Sequence, residues 1–128
     1  MRIAFIGAGT MAQAISQGAR ATNPTWEFTF YDRASKVAEH AAQQVQGQAL
    51  PDPAATADAD LIVLAVKPQH QSEALKELPT TRACLVSIAA GRSLGQIAQD
   101  LQDTPNADAA IIRTMPNLNA TVGQSARN

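Results

Sequence analysis

The sequence has little of what marks several large classes of protein. Its single cysteine, Cys84, excludes an internal disulfide. Charged residues are only 16% of the 128 residues and the net charge is −1, which leaves no basic patch for nucleic acid or an anionic membrane. No apolar run approaches the roughly 20 residues of a membrane span, and no charged and then apolar leader precedes the first strand. We expect a cytoplasmic protein without a nucleic-acid or membrane partner.

What the sequence does contain is an alternation of strand and helix patterns. Apolar residues are 45% of the chain, enough for one domain, residues 1–128, that buries about two thirds of its unfolded surface. We predict strands at 2–6, 27–31, 48–50, 61–66, 83–88 and 109–113 and helices at 10–21, 34–46, 54–58, 69–78 and 93–101. Gly47 is expected to end the second helix. This order predicts an α/β fold with a doubly wound, mostly parallel sheet.

The first strand leads directly into the pattern G-x-G-x-x-A, at residues 7–12. Gly7 permits a tight turn, Gly9 lets backbone N–H groups approach a pyrophosphate, and Ala12 lets the helix lie close to the sheet. The anion would then lie on the helix N-terminus, where unpaired N–H groups and the helix dipole favour negative charge. The pattern therefore predicts a Rossmann-like, dinucleotide-binding turn.

Asp32 directly follows the second predicted strand, about 20 residues after Ala12, where an acidic side chain would meet the ribose hydroxyls of a dinucleotide. Arg33 could bind a 2′-phosphate with about 1.5–3 kcal/mol. Asp32 would repel the same phosphate by roughly 4 kcal/mol at about 4 Å and an effective dielectric constant of about 20. The residues alone leave the cofactor open, and NADP(H) is favoured only if Asp32 points to solvent or caps the helix that starts at Ala34.

Ligands of doubly wound sheets bind at the carboxyl ends of the strands, so the loops at 7–11, 32–33, 67–69, 89–91 and 115–117 should share one edge. Lys67 is expected to position cofactor or substrate rather than to act as an acid. His40 and His70 have no metal-ligand spacing and are expected in solvent, and Cys84 in the core. Asn117 could cap a turn or contact the cofactor.

Four motifs occur in an order known from one family: FIGAGTMA at 5–12, AVKPQ at 65–69, SIAAG at 87–91 and RTMPN at 113–117, followed by Val122-Gly123. Together they resemble the N-terminal domain of pyrroline-5-carboxylate reductase. The resemblance implies NAD(P)H-dependent reduction of the imine 1-pyrroline-5-carboxylate to L-proline, the last step of proline biosynthesis. It also implies a C-terminal helical domain, absent from this chain, that forms a homo-oligomer and much of the substrate pocket. The chain alone should bind dinucleotide and reduce imine poorly or not at all.

The resemblance further implies which residues bind the cofactor. The residues toward the pyrophosphate would be Ile6, Gly7, Ala8, Gly9, Thr10 and Met11, those along the nicotinamide-side ribose Ala65, Val66, Lys67 and Pro68, and those flanking the nicotinamide Ala89, Ala90 and Gly91. Asp52 would lie near the adenine, and the loop at 115–117, with Asn117, on the substrate side. Leu118-Asn119 replaces the Thr-Pro of many relatives. The family more often uses NADPH, so NADP(H) is expected, with NAD(H) not excluded.

No catalytic side chain and no metal site is assigned, because in an imine reduction the cofactor carries the hydride. Two alternative functions stay open. One is a dehydrogenase of the β-hydroxyacid type, whose catalytic lysine would lie beyond this chain. The other is a non-catalytic, NADP-binding regulatory module on the same fold.

Overall fold

Strands and helices alternate along the chain. The computed structural model of the protein describes residues 1–88 and 93–114. The strands are β1 (Arg2–Ile6), β2 (Glu27–Tyr31), β3 (Gln48–Ala49), β4 (Leu61–Leu64), β5 (Cys84–Ser87) and β6 (Ile111–Arg113). The helices are α1 (Thr10–Thr22), α2 (Ser35–Gln44), α3 (Pro68–Lys76) and α4 (Leu94–Leu101), with a short 3₁₀ helix at Pro53–Thr56. Within this part of the chain, no helix is both long enough and apolar enough to cross a membrane.

All six strands form one parallel sheet in the order β3-β2-β1-β4-β5-β6. The first strand lies in the middle, where Ile6 at its carboxyl end pairs with Tyr31 of β2 on one side and Leu64 of β4 on the other. The chain therefore winds outward in both directions from β1, and the crevice between the two halves opens beside it. This confirms the predicted α/β, doubly wound fold.

The sheet is buried on both faces. Along β1, Ile3 and Phe5 pack into one layer of the core with buried residues of α1 and α2, such as Ala12 and Ala41. The alternate residues of β1 pack into a second layer with α3 and α4, where Leu75 and other apolar residues are fully buried. This double burial explains why β1 and β4 are continuous apolar runs rather than alternating ones.

The end of α2 differs in detail from the prediction. The residue in the left-handed conformation is Gln46, with a φ of 55°, and Gly47 follows it. The Gly47 N–H donates to Ala42 O at 2.8 Å, which closes the helix end. A Cβ on Gly47 would collide with Phe28 O. Glycine is needed here because the chain passes close to β2, not because of its φ angle.

The expected helix at 54–58 is the 3₁₀ helix Pro53–Thr56 instead. Asp52 caps it, since Asp52 Oδ1 accepts a hydrogen bond from Ala54 N at 2.8 Å. Proline at the first position cannot donate a hydrogen bond, which suits a short turn of this kind.

Candidate functional site

A cleft of about 320 Å³ opens at the carboxyl edge of the sheet, in the crevice beside β1. Its walls are the loops that follow β1, β2 and β4 and one face of α3. The cleft is within the size range of about 300–1,000 Å³ that is usual for small-molecule sites. The residues lining it are Ile6, Gly7, Ala8, Gly9, Tyr31, Asp32, Arg33, Ala65, Val66, Lys67, His70, Ala74 and Glu77.

Gly7 makes the floor of this cleft possible. It has a φ of 96°, which side-chain-bearing residues rarely adopt, and its N–H donates to Tyr31 O at 2.8 Å. A Cβ at this position would lie 2.8 Å from the carbonyl carbon of Ala65. The loop after β1 can therefore approach the loop after β4 only because residue 7 is glycine.

Gly9 has a different environment. It is exposed and precedes α1, and no heavy atom among the described residues lies within 4 Å of a Cβ built there. The hydrogen bond from Gln13 N to Gly9 O, at 3.0 Å, is the first of the helix. Helix geometry leaves the N–H groups just before Gln13 without an intrahelical acceptor. An exposed helix start with space above it suits an anionic group such as a diphosphate.

Asp32 ties two segments of the site together. Its Oδ2 accepts a hydrogen bond from Ala8 N at 3.0 Å, and its Oδ1 accepts one from Ala34 N at 2.9 Å. The second bond forms a turn that leads into α2, where Ala34 is the N-cap residue. The carboxylate thus orders both the glycine-rich loop and the entry to α2.

Arg33 lies at the mouth of the cleft and forms an ion pair with Glu73 of α3, with Nη2 and Oε1 2.5 Å apart. Both side chains are largely exposed, at 64% and 59%. Lys67, the N-cap residue of α3, is also exposed and lines the cleft. Positive groups therefore come from two separate loops at this edge of the sheet.

The structure brings together most of the residues that the sequence predicts around the first loop and after β4. Thr10, Met11, Pro68 and Asp52 do not line the cleft, and their role as cofactor contacts stays a prediction. Four further predicted contacts, Ala89, Ala90, Gly91 and Asn117, lie outside the described residues.

Four residues of the cleft were not predicted from the sequence as contacts: Tyr31, His70, Ala74 and Glu77. Tyr31 is the last residue of β2, so its position one residue before Asp32 was a usable signal. His70 and Ala74 lie on α3 and Glu77 is its C-cap residue; their spacings of four and three place the three on one face of the helix. His70 is exposed, as expected, but it faces the site.

Other reactive residue types lie elsewhere. Cys84 is half-buried at the start of β5, at the edge of the sheet opposite the cleft. His40 is exposed on α2 and its Nε2 lies 2.9 Å from Gln44 Nε2. Over residues 1–88 and 93–114, no group of three His, Cys, Asp or Glu side chains is placed to hold a metal ion.

A family model described as "NADP oxidoreductase coenzyme F420-dependent" matches residues 2–91. Among curated relatives, the pyrroline-5-carboxylate reductase of Pseudomonas aeruginosa is 37% identical, and the match covers 98% of this chain and 46% of that protein. The chain thus spans about half the length of the curated relatives it matches, 43–47% for five of them.

Solved structures show the same likeness. A pyrroline-5-carboxylate reductase from Coxiella burnetii superposes with a TM-score of 0.79 at 27% identity, covering 94% of this chain and 45% of that one. The pyrroline carboxylate reductase of Plasmodium falciparum, solved with NADP bound, superposes with a TM-score of 0.75 over 96% of this chain and 45% of that one. At 22% identity, the second likeness shows the fold alone.

Proposed function

This chain belongs to the family described as NADP oxidoreductase, coenzyme F420-dependent, and we propose that it is the cofactor-binding part of a pyrroline-5-carboxylate reductase. The reaction is the reduction of 1-pyrroline-5-carboxylate to L-proline, with NADP(H) as the cofactor. The observation that carries the proposal is the match to a reductase of this name at 37% identity over 98% of the chain. The open cleft at the carboxyl edge of the sheet supports it.

The residues of the cleft fit a dinucleotide. Gly9 leaves room for a diphosphate at the start of α1, because nothing in the described part of the chain fills the space above it. Gly7 brings the loops after β1 and β4 together, so that the ends of both strands border the same site. When bound, the cofactor supplies the hydride, and the protein contributes binding, orientation and exclusion of water.

The hydrogen bonds of Asp32 support NADP(H) over NAD(H). Both carboxylate oxygens accept backbone N–H groups, which partly compensates the negative charge near the expected ribose. Arg33, at the mouth of the cleft, provides a guanidinium that can bind a phosphate in bidentate fashion. If dissociation constants favoured NADH over NADPH by about tenfold, a difference of about 1.4 kcal/mol, this preference would be wrong.

The proposal extends to the rest of the protein. Since the relatives are about twice as long as this chain, we assign residues 1–128 to the NAD(P)-binding domain and expect a helical domain after it that completes the substrate pocket and forms a homo-oligomer. A cytoplasmic location is part of the same proposal.

The test is an assay of the full-length protein. We expect loss of NADPH absorbance that depends on pyrroline-5-carboxylate, with L-proline as the product. Turnover of a 3-hydroxy acid, with none of the imine, would instead assign a β-hydroxyacid dehydrogenase. Binding of NADPH without turnover of either substrate would assign a regulatory module.

A further inference from the structure

We propose that Glu73 sets the balance between NADP(H) and NAD(H) by competing with the 2′-phosphate of the cofactor for Arg33. The inference rests on the proposed function, since it requires a dinucleotide in the cleft. It assigns a specificity-determining role to a residue that belongs to none of the four sequence motifs.

The geometry begins with the positions of the two side chains. Arg33 directly follows Asp32 at the carboxyl end of β2 and lines the cleft. Glu73 lies on α3, in the other half of the fold, and its Oε1 is 2.5 Å from Arg33 Nη2. One turn to either side of Glu73, His70 and Glu77 line the cleft. The ion pair therefore links the two halves of the fold at the mouth of the cleft.

The acidic residue expected to discriminate against the 2′-phosphate was Asp32. Its two carboxylate oxygens, however, accept hydrogen bonds from Ala8 N and Ala34 N. The carboxylate that pairs with Arg33 is that of Glu73. The negative charge that a 2′-phosphate must displace therefore comes from α3, and not from the end of β2.

The 2′-phosphate of the cofactor can displace the Glu73 carboxylate from Arg33. Both partners are more than half exposed, and exposed ion pairs are weak because water and salt screen them. A phosphate carries more negative charge than a carboxylate and offers three acceptor oxygens to a guanidinium. Glu73 should therefore lower the affinity for NADP(H) without abolishing it. NAD(H) has only a hydroxyl at this place and should be little affected.

The experiment compares Glu73→Gln with Glu39→Gln in the full-length protein. Glu39 is an exposed residue of α2 that does not line the cleft, so its substitution removes the same charge elsewhere. The probes are NADP⁺ and NAD⁺, titrated separately at low salt. We expect Glu73→Gln to bind NADP⁺ about three- to tenfold more tightly, as loss of a screened competing charge implies, and NAD⁺ within about twofold of the wild type.

A second pair of variants tests whether the effect passes through Arg33. In the Arg33→Gln background, Glu73→Gln should change the NADP⁺ dissociation constant by less than about twofold. The guanidinium for which the Glu73 carboxylate and the 2′-phosphate compete is then absent. In the protein that retains Arg33, the increase in NADP⁺ affinity caused by Glu73→Gln should also become smaller as the salt concentration rises.

Three results would overturn the inference. The ratio of the NADP⁺ and NAD⁺ dissociation constants could be unchanged in Glu73→Gln, or it could change equally in Glu39→Gln. Glu73→Gln could also increase the NADP⁺ affinity by the same factor when Arg33 is replaced by glutamine. These leave the proposed function standing, since the wild type would still bind both dinucleotides and reduce the imine. If the wild type bound neither dinucleotide, the proposed function would fall and the inference with it.

Discussion

At the scale of single residues, two glycines of the same loop have separable roles. Gly7 is constrained by the fold, with a φ of 96° and backbone atoms of Ala65 and Val66 within 2.9 Å of a Cβ built there. Gly9 has a φ of −78°, which any residue can adopt, and open space around it. The pattern G-x-G therefore combines one glycine that the backbone requires with one that leaves open space at the start of α1.

We predict a large effect on stability for one of the two alanine substitutions and almost none for the other. Gly7→Ala should lower the free energy of unfolding by about 2–4 kcal/mol, because a left-handed φ and a steric clash both cost energy. Gly9→Ala should leave the free energy of unfolding within about 0.5 kcal/mol of the wild-type value, since the added methyl group has open space around it. The measurement is urea unfolding of both variants and the wild type.

Dinucleotide titration completes the comparison. Gly9→Ala should bind NADPH at least about tenfold more weakly while it stays folded, because the added methyl group occupies the approach to the diphosphate. Normal affinity in Gly9→Ala would show that the diphosphate does not bind at this helix start.

Asp32 shows the limit of inference at this scale. Its spacing from the first loop predicted contact with a dinucleotide ribose; Asp32 does line the cleft, and the contact itself stays a prediction. The donors that its carboxylate accepts from, the N–H groups of Ala8 and Ala34, depend on how the first loop lies against the end of β2. That contact joins residues 24 positions apart in the chain, so local sequence could not show it.

At the scale of elements, α3 and β5 are joined by a buried polar pair. Gln71 and Ser87 are both fully buried, and Ser87 Oγ donates to Gln71 Oε1 at 3.3 Å. Among the residues that the structure describes, Gln71 Nε2 has no hydrogen-bond partner. A buried amide donor that stays unpaired costs free energy, so this helix–strand contact is less favourable than an apolar one would be.

A double-mutant cycle tests this. Ser87→Ala alone should destabilise the protein by about 1–3 kcal/mol, because it leaves the whole Gln71 amide without a partner. Combined with Gln71→Met, which has a similar volume and no polar group, stability should return to within about 1 kcal/mol of the wild type or exceed it. Unfolding in urea supplies the four free energies, and strictly additive effects would contradict the pairing.

The elements themselves were largely predictable. Each predicted strand is present, and β2 has the predicted bounds, since short buried apolar runs and helical periodicity are properties of local sequence. The face of α3 that borders the cleft was missed. Its residues His70, Ala74 and Glu77 share no chemistry, and only the packing of α3 against the sheet turns them toward the site.

At the scale of the whole molecule, the cleft links cofactor binding to stability. It is built from both halves of the sheet, through the loops after β2 and β4. A ligand that binds there requires both halves to be folded, and an unfolded chain offers no such site. Dinucleotide binding should therefore stabilise the fold as a unit.

We expect NADP⁺ at 100 times its dissociation constant to raise the free energy of unfolding by about 2.7 kcal/mol. The unfolding midpoint should rise with NADP⁺ concentration in the wild type, and at the same concentrations much less in Gly9→Ala. A midpoint that does not move with NADP⁺ in the wild type would contradict binding to the folded cleft.

The sequence by itself determined the fold class, the strand that leads into the glycine-rich loop, and the edge of the sheet at which a ligand would bind. These depend on periodicity, on residues with special backbone conformations and on the order of the elements, all of which are local or sequential properties. The tertiary structure decided which charges meet. The Arg33–Glu73 pair, the two hydrogen bonds of Asp32 and the cleft-facing side of α3 arise where distant segments pack together. Contacts of that kind depend on three-dimensional distance, which the order of residues along a chain does not contain.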